Sequence, residues 1–404
     1  MATAKRKQIK VKTVQQKKRL FRSKEPLFSV FMWGINHTVN ELGHVNIPVM
    51  LMPDDFKAYT KVRVDNHLFN KDNMPSHFKM KEYCPFVFRN LRERFGLDEN
   101  EYLNSLTTRL VDIDSPGRSG ARMMMSQDYR FFIKSLVSEE VEQMHHLLKQ
   151  YHQYIVENRA ETRLPQYLGM YRVTVTDVET YLIVMKNVFS PRLPIHKKYD
   201  LKGSTVDRHA SDKEKSKDLP TYKDNDFLND GARIHIGPIE KEKLLATLGR
   251  DVEFLTSLHL MDYSLIVGIH DRERGEQETR QNPQEDEEDV EVEQENGYEV
   301  EGGEVGDIMS SVPTPPESPQ LFNSHFEGDL DPKTERYGVK SAEDAPRKEI
   351  YFMALIDILT RYSMKKRTAQ AAKTMKHGSG AEISTVKPDQ YAKRFMDFIS
   401  KCIE

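Results

Sequence analysis

The sequence has few of the features that place a protein in a membrane or outside the cell. Its 404 residues include only two cysteines, Cys84 and Cys402, which lack the spacing of a disulfide framework or a metal site. No uncharged apolar run is long enough to span a bilayer, and the first residues are basic, so we expect no secretory signal. This composition suits a reducing cytosolic or nuclear compartment. A hydrophobic content of 38% is enough for the core of one large two-lobed domain or of two domains.

Several signatures of nucleotide and nucleic-acid binding are also missing. The segment Gly-Arg-Ser-Gly at 117–120 is neither a GxGxxG nor a Walker loop, and the H-R-D, D-F-G and A-P-E signatures of protein kinases do not occur. The basic segment 358–381 offers only Tyr362 for base stacking, and no nucleic-acid motif accompanies it. These absences argue against a protein kinase and against a nucleic-acid partner.

The charge that the chain does carry is strongly segregated. The net charge is −3, but residues 271–307 hold sixteen Asp and Glu and three Arg, a net −13 that leaves the rest of the chain at +10. Residues 1–24, which we interpret as a disordered basic arm, hold ten Lys and Arg without an acid, and residues 358–381 hold six. Taken alone, this asymmetry indicates a polyanionic partner: an anionic membrane, a phosphorylated substrate or nucleic acid.

Hydrophobic periodicity indicates a mixture of helices and strands. Helices are predicted over residues 26–42, 139–156 and 238–259 and from Pro388 onward, and strands over 45–52 and 60–69, twice within 117–136, and as a hairpin over 168–185. In the strand 60–69, Lys61 and Arg63 share a face opposite Val62 and Val64. Residues 272–346 are acidic and lack periodicity, so we predict that they are disordered.

A lysine within an apolar strand is the first residue that indicates chemistry. Lys134 follows Phe132 and Ile133, and a lysine held there is expected to bind an anion such as a nucleotide phosphate. The next helix has Ser138 as its predicted N-cap and Glu140 on its inward stripe, so Glu140 is predicted to pair with Lys134. The alternative is a lysine that extends to solvent and a glutamate that favours the helix dipole.

Two aspartates interrupt apolar runs that are far apart in the chain. Asp262 lies within Leu258–Asp271, and Asp357 lies within Ile350–Leu359. A carboxylate buried in such a run is costly unless it binds a cation or a charged partner. The pair predicts a Mg²⁺-nucleotide site in which one aspartate serves an acceptor hydroxyl and the other holds metal. Each alone would more simply cap a turn at a strand end.

Three weaker segments complete the pattern. The small residues at 117–120 would let backbone N–H groups approach phosphates, or form an ordinary surface turn. Asn187–Phe189 is interpreted as a link between a strand-rich and a helical lobe, where adenine could bond to the backbone, or as a plain connector. Lys202 with the basic residues after it, and the basic segment after Asp357, could bind substrate phosphates or be solvated faces. The order of these parts is that of a protein-kinase-like phosphotransferase.

At these same residues the chain resembles the phosphatidylinositol phosphate kinases. The matching motifs are NVF at 187–189, YDLKGST at 199–205, MDYSLIVGIHD around Asp262 and IDIL around Asp357. Other segments, among them VMLMPDDFKAY, KDNDF and AKTMKHGSGAEIST, resemble the type II branch, the phosphatidylinositol 5-phosphate 4-kinases. The resemblance covers nearly the whole chain except the basic arm and the acidic segment.

The resemblance implies an α+β fold: a two-lobed, protein-kinase-like lipid kinase with an antiparallel N-lobe sheet and a mixed C-lobe. It implies an N-lobe at 25–186, for ATP binding and dimerisation, and a catalytic and substrate-binding C-lobe at 187–404 with the disordered insert 272–346. The implied reaction transfers a phosphoryl group from ATP, with Mg²⁺, to the 4-hydroxyl of phosphatidylinositol 5-phosphate. The implied assembly is a homodimer joined through N-lobe strands. It is expected to be cytoplasmic and peripheral on an anionic membrane, with a further nuclear pool.

The matching motifs also imply residue roles. Asp262 is expected near the acceptor hydroxyl, Lys134 on the ATP phosphates, and Asp357, with Asp262, on the metal. The nucleotide-binding candidates are Gly117, Ser119, Gly120, Lys134, Glu140, Asn187, Val188 and Phe189. The substrate-binding candidates are Lys202, Arg208, Lys223, Lys365, Lys366, Ala369 and Lys373. The membrane-face candidates are Lys57, Lys61 and Arg63.

Departures from the family pattern leave alternatives open. Met123–Met125 stands where less methionine is expected over the nucleotide, and Asp207-Arg208-His209 replaces the usual Ala-Arg-Glu. Ala369 stands where the 5-kinase branch has a glutamate, which favours the type II branch. The alternatives are a low-activity scaffold that binds phosphoinositides and a phosphatidylinositol 4-phosphate 5-kinase.

Overall fold

The computed structural model describes residues 21, 23–46, 48–65, 74–113, 120–281, 328–362 and 386–404. These residues form two compact units. Unit 1 comprises the residues up to Glu161 together with Pro165–Asn187, and unit 2 comprises Thr162–Leu164 together with the residues from Val188 onward. None of the described helices is both long and apolar enough to cross a membrane.

Unit 1 is built on one antiparallel sheet. Its strands are β1 (Tyr59–Val64), β2 (Phe78–Tyr83), β3 (Leu110–Ile113), β4 (Met123–Ser126), β5 (Phe131–Leu136), β6 (Tyr167–Val175) and β7 (Val178–Lys186), in the order β1-β2-β6-β7-β5-β4-β3. Its helices are α1 (Pro26–Gly43), α2 (Pro85–Arg94), α3 (Glu99–Thr108) and α4 (Ser138–Glu157). The predicted antiparallel N-lobe sheet, the hairpin β6–β7 and the strand pair β4–β5 are confirmed.

Helix α4 shows why the sequence forms these elements. Its inward stripe at helical spacing is entirely buried, as predicted, and consists of Val141, Met144, Leu147, Leu148, Tyr151 and Ile155. The predicted N-cap was wrong by one residue, because Val137 is the N-cap and Ser138 is the first helical residue. Glu140 supplies the other half of a capping box, since its Oε2 accepts the N–H of the N-cap residue Val137 at 3.1 Å.

The predicted strand 45–52 was wrong. Among its described residues none is in a strand, and Val49 and Met50 are exposed. β-propensity is fulfilled only where a partner strand is available, and Pro48 lacks the N–H that a ladder needs. The next predicted strand, 60–69, is β1 as far as Val64, and residues 66–69 lie outside the described part of the chain.

Unit 2 is built on a mixed sheet of β8 (Lys197–Leu201), β9 (Thr221–Lys223), β10 (Ser264–Asp271), β11 (Gly338–Lys340) and β12 (Glu349–Ile356), in the order β11-β12-β10-β8-β9. Among the strands that the structure describes in unit 2, only β8 and β9 pair in parallel. The helices are α5 (Asp212–Lys215), α6 (Asp224–Asn229), α7 (Gly237–Ser257), α8 (Arg272–Gln281) and α9 (Pro388–Cys402). The two central strands, β10 and β12, are buried over nearly their whole length, which explains their continuous apolar sequences.

The predicted disordered insert was too long at both ends. Residues 272–281 form α8, and residues 338–340 form β11, which pairs with β12. Glu335 is 2% exposed and accepts hydrogen bonds from Ser190 and Arg192. These partners are far away in the sequence, so composition alone could not reveal them. Residues 282–327, the middle part of the predicted insert, lie outside the described residues.

Candidate active site

In unit 1, Lys134 is held by Glu140. Lys134 lies on β5 between Met123 of β4 and Ile183 of β7. Its side chain is only 14% exposed, and Nζ lies 3.4 Å from Glu140 Oε1. The predicted pairing is therefore confirmed, and a lysine extended into solvent is not what the structure shows. Because Glu140 lies in the first turn of α4 and also accepts the N–H of the N-cap residue Val137, the ammonium group is tied to a rigid helix end.

The sheet surface beside Lys134 is apolar. The register places Met125 opposite Phe132 and Phe132 opposite Met185, on the same face as Lys134, and all three side chains are half-buried. Asn187 donates from Nδ2 to the Tyr129 carbonyl at 2.8 Å, with Met125 Sδ at 3.6 Å. A flat apolar group would fit such a surface next to a cation.

The small-residue turn before β4 is only partly described. Gly120 has φ +62°, a conformation that suits glycine. Gly117 and Ser119 lie outside the described residues, so their contact with phosphates stays a prediction.

In unit 2, strand register brings the two aspartates to one edge of the sheet. Ser264 pairs with Ile356, so Asp262 lies just before β10 and Asp357 just after β12, at the same end of an antiparallel pair. Both have left-handed backbones, with φ 66° and φ 57°, a strain of about 1–3 kcal/mol per non-glycine residue. Such strain is typical of functional sites, and here it places both residues outside the regular ladder.

The expected burial of these aspartates was wrong. The Asp262 side chain is 24% exposed, and Asp357 is exposed, because both lie beyond the ends of buried strands. Across the described ranges, no group of three or more His, Cys, Asp or Glu side chains is arranged to hold a metal. The two carboxylates nevertheless fit Mg²⁺, which usually takes one or two protein carboxylates and completes its shell with phosphates and water.

Lys202 adds a cation to the same edge. It follows β8, and β8 runs antiparallel to β10 with Leu201 opposite Leu265, so Lys202 arrives beside the start of β10. Its Nζ donates to Asp262 Oδ1 at 3.0 Å and to the Asp262 carbonyl at 2.7 Å. The sequence predicted a substrate-phosphate contact for Lys202 but did not predict this ion pair with the candidate catalytic carboxylate.

Arg208 has a different environment from the one predicted. Its Nε bonds Asp224 Oδ2 at 2.7 Å, and its Nη2 bonds the carbonyl and Oδ1 of Asp200. The side chain is only 10% exposed. A guanidinium shared by two carboxylates argues against a direct contact with a substrate phosphate. Lys223, another substrate-binding candidate, precedes α6, and its backbone N–H bonds Asp226.

Asp224 is the residue of this region that sequence reasoning missed. It begins α6 and is fully buried. Burial raises the pKa of its carboxyl group, and the nearby Arg208 opposes that rise. The signal was the KDNDF segment, which resembled the family but did not show that its first aspartate is buried beside the turn of Lys202.

Val188 and Phe189 pack into the core of unit 2. They lie against two groups of buried residues that include Ile266 of β10 and Phe352 and Ala354 of β12. The Phe189 ring covers Gly268, where an added Cβ would lie 2.4 Å from Phe189 Cε1. A contact between this link and adenine stays a prediction.

The membrane-face candidates share one edge of unit 1. Lys57, Lys61 and Arg63 are exposed, whereas Val62 and Val64 are half-buried, as the strand pattern predicted. Lys61 lies opposite Lys81, which lies opposite Arg172, so three cations form a row across β1, β2 and β6. Burial and then the charges of Arg172 and Lys61 lower the pKa of Lys81. An anionic surface would relieve this repulsion.

Four substrate-binding candidates in the basic segment after Asp357 cannot be placed. They are Lys365, Lys366, Ala369 and Lys373, and all lie outside the described residues. Their roles stay predictions.

Comparison with known proteins shows to which family this chain belongs. The family model described as phosphatidylinositol-4-phosphate 5-kinase matches residues 105–402. The chain belongs to the phosphatidylinositol phosphate kinase family. It is 60% identical to phosphatidylinositol 5-phosphate 4-kinase type-2 alpha of Gallus gallus, over 96% of this chain and 94% of that protein. It is 58% identical to the type-2 beta protein of Mus musculus, over 96% and 93%.

A third relative agrees with these two. The type-2 alpha protein of Homo sapiens is 60% identical, over 96% of this chain and 93% of its own length. The predicted family and its type II branch are confirmed, and so is the predicted α+β, kinase-like lipid kinase fold.

Proposed function

We propose that this chain is a lipid kinase that transfers the γ-phosphoryl group of ATP to the 4-hydroxyl of phosphatidylinositol 5-phosphate, giving phosphatidylinositol 4,5-bisphosphate. The proposal rests on the arrangement at one edge of the unit 2 sheet, where Asp262 is bonded by Lys202 and strand register brings it to the same end as Asp357. The chain that carries this arrangement belongs to the phosphatidylinositol phosphate kinase family. Curated relatives at about 60% identity bear the name of that activity.

The residue roles follow from charge and position. Asp262 orients the acceptor hydroxyl and accepts its proton, and Lys202 holds that carboxylate in one orientation. Asp357 and Asp262 would hold Mg²⁺, which when bound neutralises charge on the phosphates. Lys134, positioned by Glu140, contributes a fixed positive charge for the phosphates of ATP. Catalysis is therefore mainly positioning and charge neutralisation.

A vesicle assay with radiolabelled ATP tests this function. We expect product from phosphatidylinositol 5-phosphate with the wild type and a loss of at least 100-fold in kcat for Asp262→Asn, which keeps the shape but not the base. Equal incorporation by both proteins would end the catalytic assignment. Product from the 4-phosphate but not from the 5-phosphate would instead support a 5-kinase, the activity in the description of the family model.

The proposed assembly is a cytoplasmic homodimer, peripheral on anionic membranes, with a further nuclear pool. The exposed cations Lys57, Lys61 and Arg63 support electrostatic docking, at about 1 kcal/mol for each residue near the surface. The edge strand β1 supports dimerisation, because its backbone can pair with a second copy. Light scattering measures the mass in solution, and vesicle sedimentation at rising salt measures docking. A monomeric mass, or binding that does not respond to salt, would overturn the respective proposal.

The methionine-rich strand β4 favours one further candidate, a low-activity scaffold that binds phosphoinositides. Met123 lies opposite Lys134, and Met125 lies on the same face. The intact Lys134–Glu140 and Lys202–Asp262 pairs argue against this candidate. Turnover at saturating ATP distinguishes the two, since a scaffold would bind lipid with negligible product.

A further inference from the structure

The turn that follows β8 carries Lys202 and depends on one buried carboxylate. Asp224 Oδ1 accepts the backbone N–H groups of Lys202 at 2.9 Å and of Gly203 at 2.7 Å. Its other oxygen accepts Arg208 Nε at 2.7 Å. Hydrogen bonds to an ionised acceptor are stronger than neutral ones, so both ends of this carboxylate are fixed.

The turn is also confined from its other side. Gly203 has φ +69°, and a Cβ there would lie 3.0 Å from the Cα of Phe395 in α9. With Asp224 on one side and α9 on the other, the backbone at Lys202 has little freedom. The direction of the Lys202 side chain is set at this point, and its Nζ reaches both the carbonyl and Oδ1 of Asp262.

We propose that Asp224 is a positioning residue for phosphoryl transfer, acting through the Lys202 turn to orient the Asp262 carboxylate. The inference rests on the proposed function, because it assumes that Asp262 faces the acceptor hydroxyl. Because Asp224 is fully buried, the proposed role involves no contact of its own with the acceptor or with ATP. Asp224 is fully buried, and its carboxylate is stabilised there by hydrogen bonds to the turn and not by solvent.

A merely structural role makes a different prediction. Asp251 on α7 is the matched control, since it is also fully buried and accepts the Thr162 hydroxyl at 2.6 Å and the Arg163 N–H at 2.7 Å. Asp251→Asn removes a buried charge that anchors backbone, as Asp224→Asn does, but Asp251 makes no bond to the Lys202 turn. If stability alone mattered, both variants would lose activity in proportion to their loss of Tm.

The experiment measures kcat, the KM for ATP and Tm for the full-length chain on vesicles containing phosphatidylinositol 5-phosphate. For Asp224→Asn we expect kcat to fall about 10- to 100-fold with the KM for ATP within twofold, because misplacement of a catalytic group by about 1 Å has an effect of that size. Asp251→Asn should stay within threefold of the wild-type kcat at a temperature where both variants are folded.

A double-mutant cycle with Lys202→Met then tests the route. If Asp224 acts through Lys202, adding Asp224→Asn to Lys202→Met lowers kcat by less than threefold more. An additive cycle, or equal losses for Asp224→Asn and Asp251→Asn, overturns the inference while the proposed function stands. Absence of product from the wild type would overturn the proposed function itself. No result of the double-mutant cycle can be mistaken for that outcome, because the cycle compares variants with an active wild type.

Hydrogen exchange on the wild type needs no variant, and it tests whether the Lys202 turn is held even if Asp224→Asn does not fold. We expect the amides of Lys202 and Gly203 to exchange as slowly as those of β8, because the Asp224 carboxylate holds them. Exchange as fast as in an exposed loop would show that the turn is not held and would overturn the inference.

Discussion

Glu82 offers a test of how burial controls the stability of unit 1. It lies on β2 and is fully buried, where desolvation raises the pKa of its carboxyl group to about 7 although the nearby Arg92 acts in the opposite direction. Tyr171 donates to its Oε1 at 3.5 Å, and Tyr171 is bonded in turn to Tyr102. The perturbation is Glu82→Gln, which keeps the shape and cannot ionise.

The sign of the effect follows from proton linkage. With a raised pKa, the folded protein keeps the proton of Glu82 when the unfolded chain has lost it, so the contribution of Glu82 to stability is fully present below pH 4.5. It is lost progressively as the pH rises to about 7. The interval from 4.5 to about 7 corresponds to about 3 kcal/mol of unfolding free energy. Glu82→Gln should remove this dependence.

Urea unfolding between pH 4.5 and 8 measures the effect. Trp33 is the single tryptophan of the chain, and its ring lies 5.1 Å from that of Phe78 on β2, so its fluorescence reports on unit 1. We expect the variant to gain stability relative to the wild type with rising pH, by about 3 kcal/mol across the range. Other titrating groups are common to both proteins and cancel. A difference that does not change with pH would refute the reasoning.

Two further substitutions test packing and the extent of the fold. Gly268→Ala should lower the free energy of unfolding by about 1–3 kcal/mol, measured by thermal unfolding, because the new Cβ would lie 2.4 Å from the Phe189 ring. The control is Gly249→Ala, at a helical position with open space, which should be neutral or stabilising. Equal effects of the two substitutions would contradict the packing argument. Glu335→Ala should lower the free energy of unfolding by about 3 kcal/mol, because Arg192 loses its buried carboxylate partner. A loss below 0.5 kcal/mol, about the effect of an ordinary surface change, would show that the segment around Glu335 is not part of the folded unit.

The helix-forming stripe of α4 and the pairing of Lys134 with Glu140 were predictable from the sequence, because both depend on residues a few positions apart. Spacing within one helix and one strand limits which side chains can meet. The two aspartates could be singled out for a similar reason, since each interrupts its own apolar run. Their low burial could not be predicted, because it depends on where the strands end against their neighbours.

Local pattern thus determined which elements form, which family the chain resembles and which side chains carry charge within apolar surroundings. Only the fold decided which distant segments meet: that β8, β10 and β12 bring Lys202, Asp262 and Asp357 to one edge, and that Asp224 lies beneath the turn of Lys202. The physical reason is that strand pairing and the burial of a carboxylate depend on partners from elsewhere in the chain. The periodicity of a single segment does not identify those partners.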